Sequence, residues 1–152
     1  MIRSLSFLFF TSVVIVSCSR PVYQEEFSIV NKTNTVTLFE IDPFPVELNK
    51  QSTSERYIEN YRIKESIEVA DSSRHTLLKA MVAPDNYIPD NSRGCEFFPR
   101  FAIKFGEKMV TLISTKPCPK IEYHITGKDQ IKIVDLIENS TIEKSLIYHI
   151  GN

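Results

Sequence analysis

Several chemistries are excluded by what this chain lacks. Only four of its 152 residues are glycine, and they form no cluster. A phosphate-cradling loop needs clustered glycines so that backbone N–H groups can approach the anion closely. The three histidines, His75, His124 and His149, share no local motif, and His-Glu-x-x-His is absent. Ser72, Ser73 and Ser114 lack the Gly-x-Ser-x-Gly frame and the Ser-x-x-Lys spacing that mark activated serines. Asp135 and Glu138 could share a helix face, but sequence spacing alone does not make a glycosidase pair. A basic excess is also missing, with 18 Lys and Arg against 19 Asp and Glu. A nucleic-acid binder needs surplus positive charge to displace counterions, and a polybasic membrane patch needs the same. No internal repeat or low-complexity block occurs.

What is present is ordinary globular material, 42% hydrophobic and 24% charged. The first 20 residues are the exception. Arg3 is the only charged side chain before Cys18, and residues 5–16 are apolar except for Ser6, Thr11 and Ser12. About 20 residues are needed to cross a bilayer, so this run is too short for that, but it suits the core of a signal peptide. Ile15-Val16-Ser17-Cys18 resembles the bacterial lipobox, in which a branched apolar residue and a small residue precede an acceptor cysteine. The resemblance implies a signal peptide at 1–17, diacylglyceryl on Cys18 and a lipidated tether at 18–26. The remaining chain, 27–152, is expected to form a single domain. The implied location is the bacterial cell envelope, on the periplasmic face or the cell surface. Two or more acyl chains anchor stably at about 0.8 kcal/mol per buried methylene.

Export also bears on the other cysteines. With Cys18 carrying lipid, Cys95 and Cys118 remain, and an even remainder in an oxidising compartment reads as a disulfide. Zinc held by Cys95, Cys118 and His124 is not expected, since the spacing matches no ligand signature. Oxidation would equally remove Cys95 as a nucleophile.

Residues 27–30 and 35–41 are β-prone runs separated by Asn31-Lys32-Thr33-Asn34, a turn signal, and Pro43 and Pro45 stop the second run. Residues 61–69 alternate, with Tyr61, Ile63, Ile67 and Val69 on one face. Glu65 is the misfit on that face, which a bulge or an edge position would explain. Asp71 reads as the N-cap of a helix over 72–83 carrying Leu77, Leu78, Met81 and Val82. Residues 85–94 read as a loop.

Residues 96–105 and 108–115 read as a hairpin around Gly106-Glu107, a two-residue turn signature. That register pairs Phe105 with Lys108 and places Cys95 opposite Cys118, although Pro99 and Pro117 must interrupt the ladder. Phe97, Phe101, Ile103 and Phe105 are expected on one face. Phe98 falls on the other with Glu96, Arg100 and Lys104, where it is either covered by another element or exposed as a contact; in the second case Phe98 and Arg100 form the candidate contact surface. Residues 120–126 alternate as a strand, with His124 on its polar side. Residues 131–137 are ambiguous. Ser140-Thr141-Ile142-Glu143 fits a capping box before a helix lined by Ile142, Leu146 and Ile150, but the same tail also alternates.

Tyr61, Ile63, Leu77, Leu78, Cys95, Pro99, Arg100, Ile103, Leu112, Ile113 and Cys118 together resemble a recurrent pattern in uncharacterised bacterial proteins, across about residues 58–126. The resemblance implies a shared fold and no assigned activity. That pattern often has a histidine after Pro-Arg, where this chain has Phe101, so chemistry from such a histidine is not expected.

The sequence therefore predicts an α+β domain: an antiparallel sheet of about five strands, one or two helices and a disulfide-linked hairpin. No cofactor, metal or nucleic-acid partner is expected. The leading functional expectation is a membrane-tethered, non-enzymatic module that binds another envelope or secreted protein. The alternatives are an envelope hydrolase with a site scattered in sequence, and an inhibitor or immunity-type lipoprotein.

Overall fold

The computed structural model describes residues 23–88 and 93–150. Cys18 and the expected signal segment lie outside these residues. Among the described residues the chain has three α-helices and one antiparallel sheet of eight strands. The elements run α1 (Gln24–Lys32), β1 (Val36–Pro45), β2 (Tyr57–Ile58), β3 (Tyr61–Glu68), α2 (Asp71–Met81), β4 (Tyr87–Ile88), β5 (Phe101–Phe105), β6 (Met109–Ser114), β7 (Lys120–Ile125), β8 (Ile131–Leu136) and α3 (Thr141–Ile150). Across the sheet the order is β2-β3-β1-β5-β6-β7-β8-β4. The α+β class holds, but the sheet has eight strands instead of about five. β2 and β4 are two residues each, too short for any periodicity to show.

The expected strand at 27–30 is the middle of α1. Four residues cannot separate a period of two from one of 3.6, and the helix puts Val30 and Phe27 against one core. α1 also takes in residues 24–26, and Glu25 and Glu26 in its first turn complement the helix dipole. In α2 the N-cap is Ala70, not Asp71; Asp71 lies in the first turn, 3.3 Å from Arg74. α3 resolves the ambiguous tail as a helix. Ser140 Oγ accepts the Glu143 N–H at 3.2 Å, and Glu143 Oε2 accepts the Asn139 N–H at 2.9 Å. Ile142 and Leu146 are buried, whereas the Ile150 side chain lies outside the described residues.

All three helices bury their apolar side chains on one face of the sheet, with Leu38, Phe101, Ile103, Phe105, Ile113 and Ile121 beneath them. There Tyr123 donates its hydroxyl to the Tyr87 oxygen at 3.0 Å, and Tyr87 donates to the Met81 carbonyl. Burial pushes both phenols above the ordinary tyrosine range. The opposite, helix-free face has a smaller cluster of Phe39, Ile41, Ala102 and Leu112, with Tyr61, Ile63 and Phe97 packed around it.

Two register details correct the expected pattern. Thr37 to Glu40 of β1 pair with Glu68 to Glu65 in step, but Ile41 then pairs with Ile63. Lys64 is the extra residue of a bulge, next to the misfit Glu65. The bulge turns the strand over, so Tyr61 and Ile63 join the helix-free cluster while Ile67 packs under the helices. The four apolar residues expected on one face are thus divided between two. In the β5–β6 hairpin Phe105 pairs with Met109, not Lys108. Three residues turn the chain instead of two, with Gly106 in the left-handed region at φ +54°. The Lys108 N–H returns to the Phe105 carbonyl at 3.2 Å.

Candidate binding groove beside the disulfide

β4 pairs with β8 at the sheet edge, whereas β5 lies between β1 and β6 in its middle. The chain between them must cross, and residues 93–100 form the described part of the crossing, over the helix-free face. Three fastenings hold this strap. The first is ionic. Lys120 Nζ donates to the Arg93 carbonyl at 2.6 Å and to the Cys95 carbonyl at 3.1 Å. It also lies 3.7 Å from Asp135 Oδ1, while Asp135 Oδ2 accepts the Arg93 N–H at 2.9 Å. The second fastening is covalent: Cys95 and Cys118 form a disulfide, with Cα atoms 6.3 Å apart. The third is apolar: Phe97 packs into the helix-free cluster.

The disulfide expected from the cysteine count is present, although the register that supported it is not. Both cysteines lie outside the β5–β6 ladder, whose outermost pair is Phe101 with Ile113. Phe97 also departs from expectation. It does not share a face with Phe101, because strand pairing starts only after Pro99 and the alternation does not carry through it.

Beside the bridge lies a groove of about 360 Å³, whose lining includes Pro43, Cys95, Glu96, Phe98, Arg100, Lys116, Pro117 and Cys118. Phe98 is 47% exposed, and Phe44, 65% exposed, meets it edge to face with ring centroids 6.0 Å apart. Exposure of two large aromatics in contact is unusual for a surface that stays wet. The Arg100 guanidinium lies 5.7 Å from the Phe101 ring centroid. Its backbone is fixed on both sides, since the Arg100 N–H donates to Ile113 at 3.0 Å and its carbonyl accepts from Ile41 at 2.9 Å. Phe98 and Arg100 both line this groove. Phe44 was missed because Asp42-Pro43-Phe44-Pro45 reads as the end of a strand. A phenylalanine between two prolines was the available signal, since such a residue has little ladder to join.

The other candidates are dispersed. Ser114 is buried, donating its hydroxyl to the Cys118 carbonyl at 2.6 Å and accepting the Lys120 N–H at 2.9 Å, so it shapes the β6–β7 turn. Asp135 is 0% exposed in a strand and Glu138 is exposed beyond it, so the two share no helix face. His75 is exposed on α2. His124 corrects the expectation of a solvated ring. It is largely covered, with Nδ1 3.4 Å from Glu59 Oε2 and Nε2 2.6 Å from Glu122 Oε1. The approach to Glu122 lacks hydrogen-bond alignment. Glu59 reaches this position from the β2–β3 turn, where it and Asn60 take left-handed backbone at φ 45° and 69°. Among the described residues no three His, Cys, Asp or Glu side chains converge as metal ligands. No described helix is long and apolar enough to cross a membrane.

Comparison with known protein families, curated proteins and solved structures found no match for the chain.

Proposed function

We propose that this chain is a lipid-anchored protein of the bacterial cell envelope, held by lipid on Cys18, which binds another envelope or secreted protein through the groove beside Cys95–Cys118. The observation that carries this reading is the exposed Phe44–Phe98 pair at the groove rim. Rigid aromatic anchors beside a pocket are the groups that dominate protein interfaces. The disulfide and prolines support it further, because a pre-ordered surface loses little freedom on binding.

Two measurements test the two halves. Labelled palmitate should enter the wild-type chain and not Cys18→Ala; label persisting in the variant defeats the anchor. A photo-crosslinking residue in place of Phe98 should give a discrete adduct in intact cells. The same group in place of Thr76 on α2 should give none, and Arg100→Glu should abolish the Phe98 adduct. Equal adducts at both positions would defeat the groove reading.

The alternative with its own observation is an envelope hydrolase centred on His124, which lies beside two carboxylates. Both ring nitrogens face a glutamate, which leaves the ring poorly placed to take a proton from substrate. His124→Asn that retains the Phe98 adduct and all cellular function would remove this reading.

A further inference from the structure

We infer that the groove takes a protein segment carrying an apolar side chain with a carboxylate beside it. This deepens the docking reading above and rests on it. The apolar half follows from the lining. Phe98, Pro43, Pro117 and the disulfide, with Phe44 against Phe98 beside them, offer surface that another apolar group covers favourably. The carboxylate follows from charge. Arg100 and Lys116 line the groove, and neither makes an ion pair among the described residues. Elsewhere on the surface Arg62 is held by Asp42 and Glu55, and Lys128 by Glu25. Glu96 is the only acid in the lining, so cations outnumber anions there. Arg100 suits a carboxylate in particular, because its planar fork can donate two parallel hydrogen bonds and its backbone is already fixed.

The position of the groove argues against the bilayer as its occupant. α1 begins beside Ile125, Lys128 and Lys132, where Lys128 meets Glu25 at 2.6 Å and Lys132 meets Glu26 at 3.1 Å. The groove lies at the other end of β7, next to Cys118. Six residues of strand separate the two, about 20 Å at a rise of about 3.3 Å each. The first described residues of the chain therefore lie at the end of β7 away from the groove.

The test uses the full lipidated chain in nanodiscs, followed by NMR. The probes are two blocked tetrapeptides, Gly-Phe-Asp-Gly and Gly-Phe-Lys-Gly. The acidic peptide should shift the Phe98 and Arg100 signals and bind at least fivefold more tightly than the basic one. Arg100→Glu with Lys116→Glu, both at exposed positions, should reverse that preference. Equal binding of the two peptides, or shifts confined to other surfaces, would overturn the inference. So would groove shifts produced by phosphatidylglycerol vesicles alone, which assign it to lipid. Concentration-dependent shifts without peptide would also overturn it, assigning the groove to a second copy. If peptide preference fails while the Phe98 crosslink persists, docking stands and only the ligand chemistry falls.

Discussion

Lys120 stands directly across from Asp135 in the β7–β8 ladder, and both side chains are buried under the strap. The pair is an ionic clamp between the sheet and a segment without regular secondary structure. Removing one partner strands the other charge in a dry site. Lys120→Met is therefore expected to cost about 3–5 kcal/mol. Adding Asp135→Leu should recover part of that loss, because no unpaired ion then remains. Guanidinium denaturation of the single and double variants checks this; a double variant less stable than Lys120→Met would contradict it.

Loss of the disulfide should act on stability and on the groove together. Cys95 and Cys118 are 23 residues apart. Closing a loop of that size stabilises by about 3 kcal/mol in the chain-entropy model. Cys95→Ser with Cys118→Ser should lower stability by about that amount, while the sheet persists through its ladders. Hydrogen exchange should show faster opening at residues 93–98 than in β6 and β7. Uniform acceleration across the sheet would mean that the bridge holds more than the strap.

The buried tyrosines set an alkaline limit. Burial raises the phenols of Tyr87 and Tyr123 in the folded state, each also coupled to the other. An unfolded tyrosine ionises near pH 10. Below that pH both states are protonated and the stabilisation is complete. As pH rises above about 10 the unfolded chain releases protons that the folded chain retains, so stability falls. Absorbance at 295 nm should show Tyr87 and Tyr123 ionising only with unfolding. Tyr123→Phe should shallow the alkaline decline; an unchanged slope would count against the assignment.

The cap of α3 offers a local measurement. Ser140 Oγ satisfies the Glu143 N–H, so Ser140→Ala should cost about 1 kcal/mol. Glu143→Ala should cost less, because its carboxylate meets an N–H outside the helix. Thermal melts of the two variants give the ranking, and an inverted order would refute it.

The sequence showed best what local chemistry decides. Ser140 and Glu143 mark a helix start by their own hydrogen bonds. The pairing of Cys95 with Cys118 was legible from the cysteine count. Faces were harder, because one extra residue inverts everything that follows it. Lys64 in the bulge and Lys108 in the turn are such residues, and neither looks different from an ordinary strand lysine. The strap was illegible for another reason. Its position depends on Lys120 and Asp135, which come from two later strands, and nothing local to residues 93–100 indicates them. Phe98 and Arg100 are legible as neighbours in one segment, whereas the Phe44 that meets Phe98 comes from β1, more than 50 residues earlier.

The placement of β7 has a mechanical consequence. It is flanked along its length by ladders to β6 and β8, with α1 beginning at one end and the groove at the other. Under the proposed anchoring and docking, tension would enter at α1 and leave at the strap, near opposite ends of this strand. The ladder bonds on both sides would then be loaded in shear and share the force, instead of being peeled apart singly. A domain anchored and loaded in that way would resist opening at the groove.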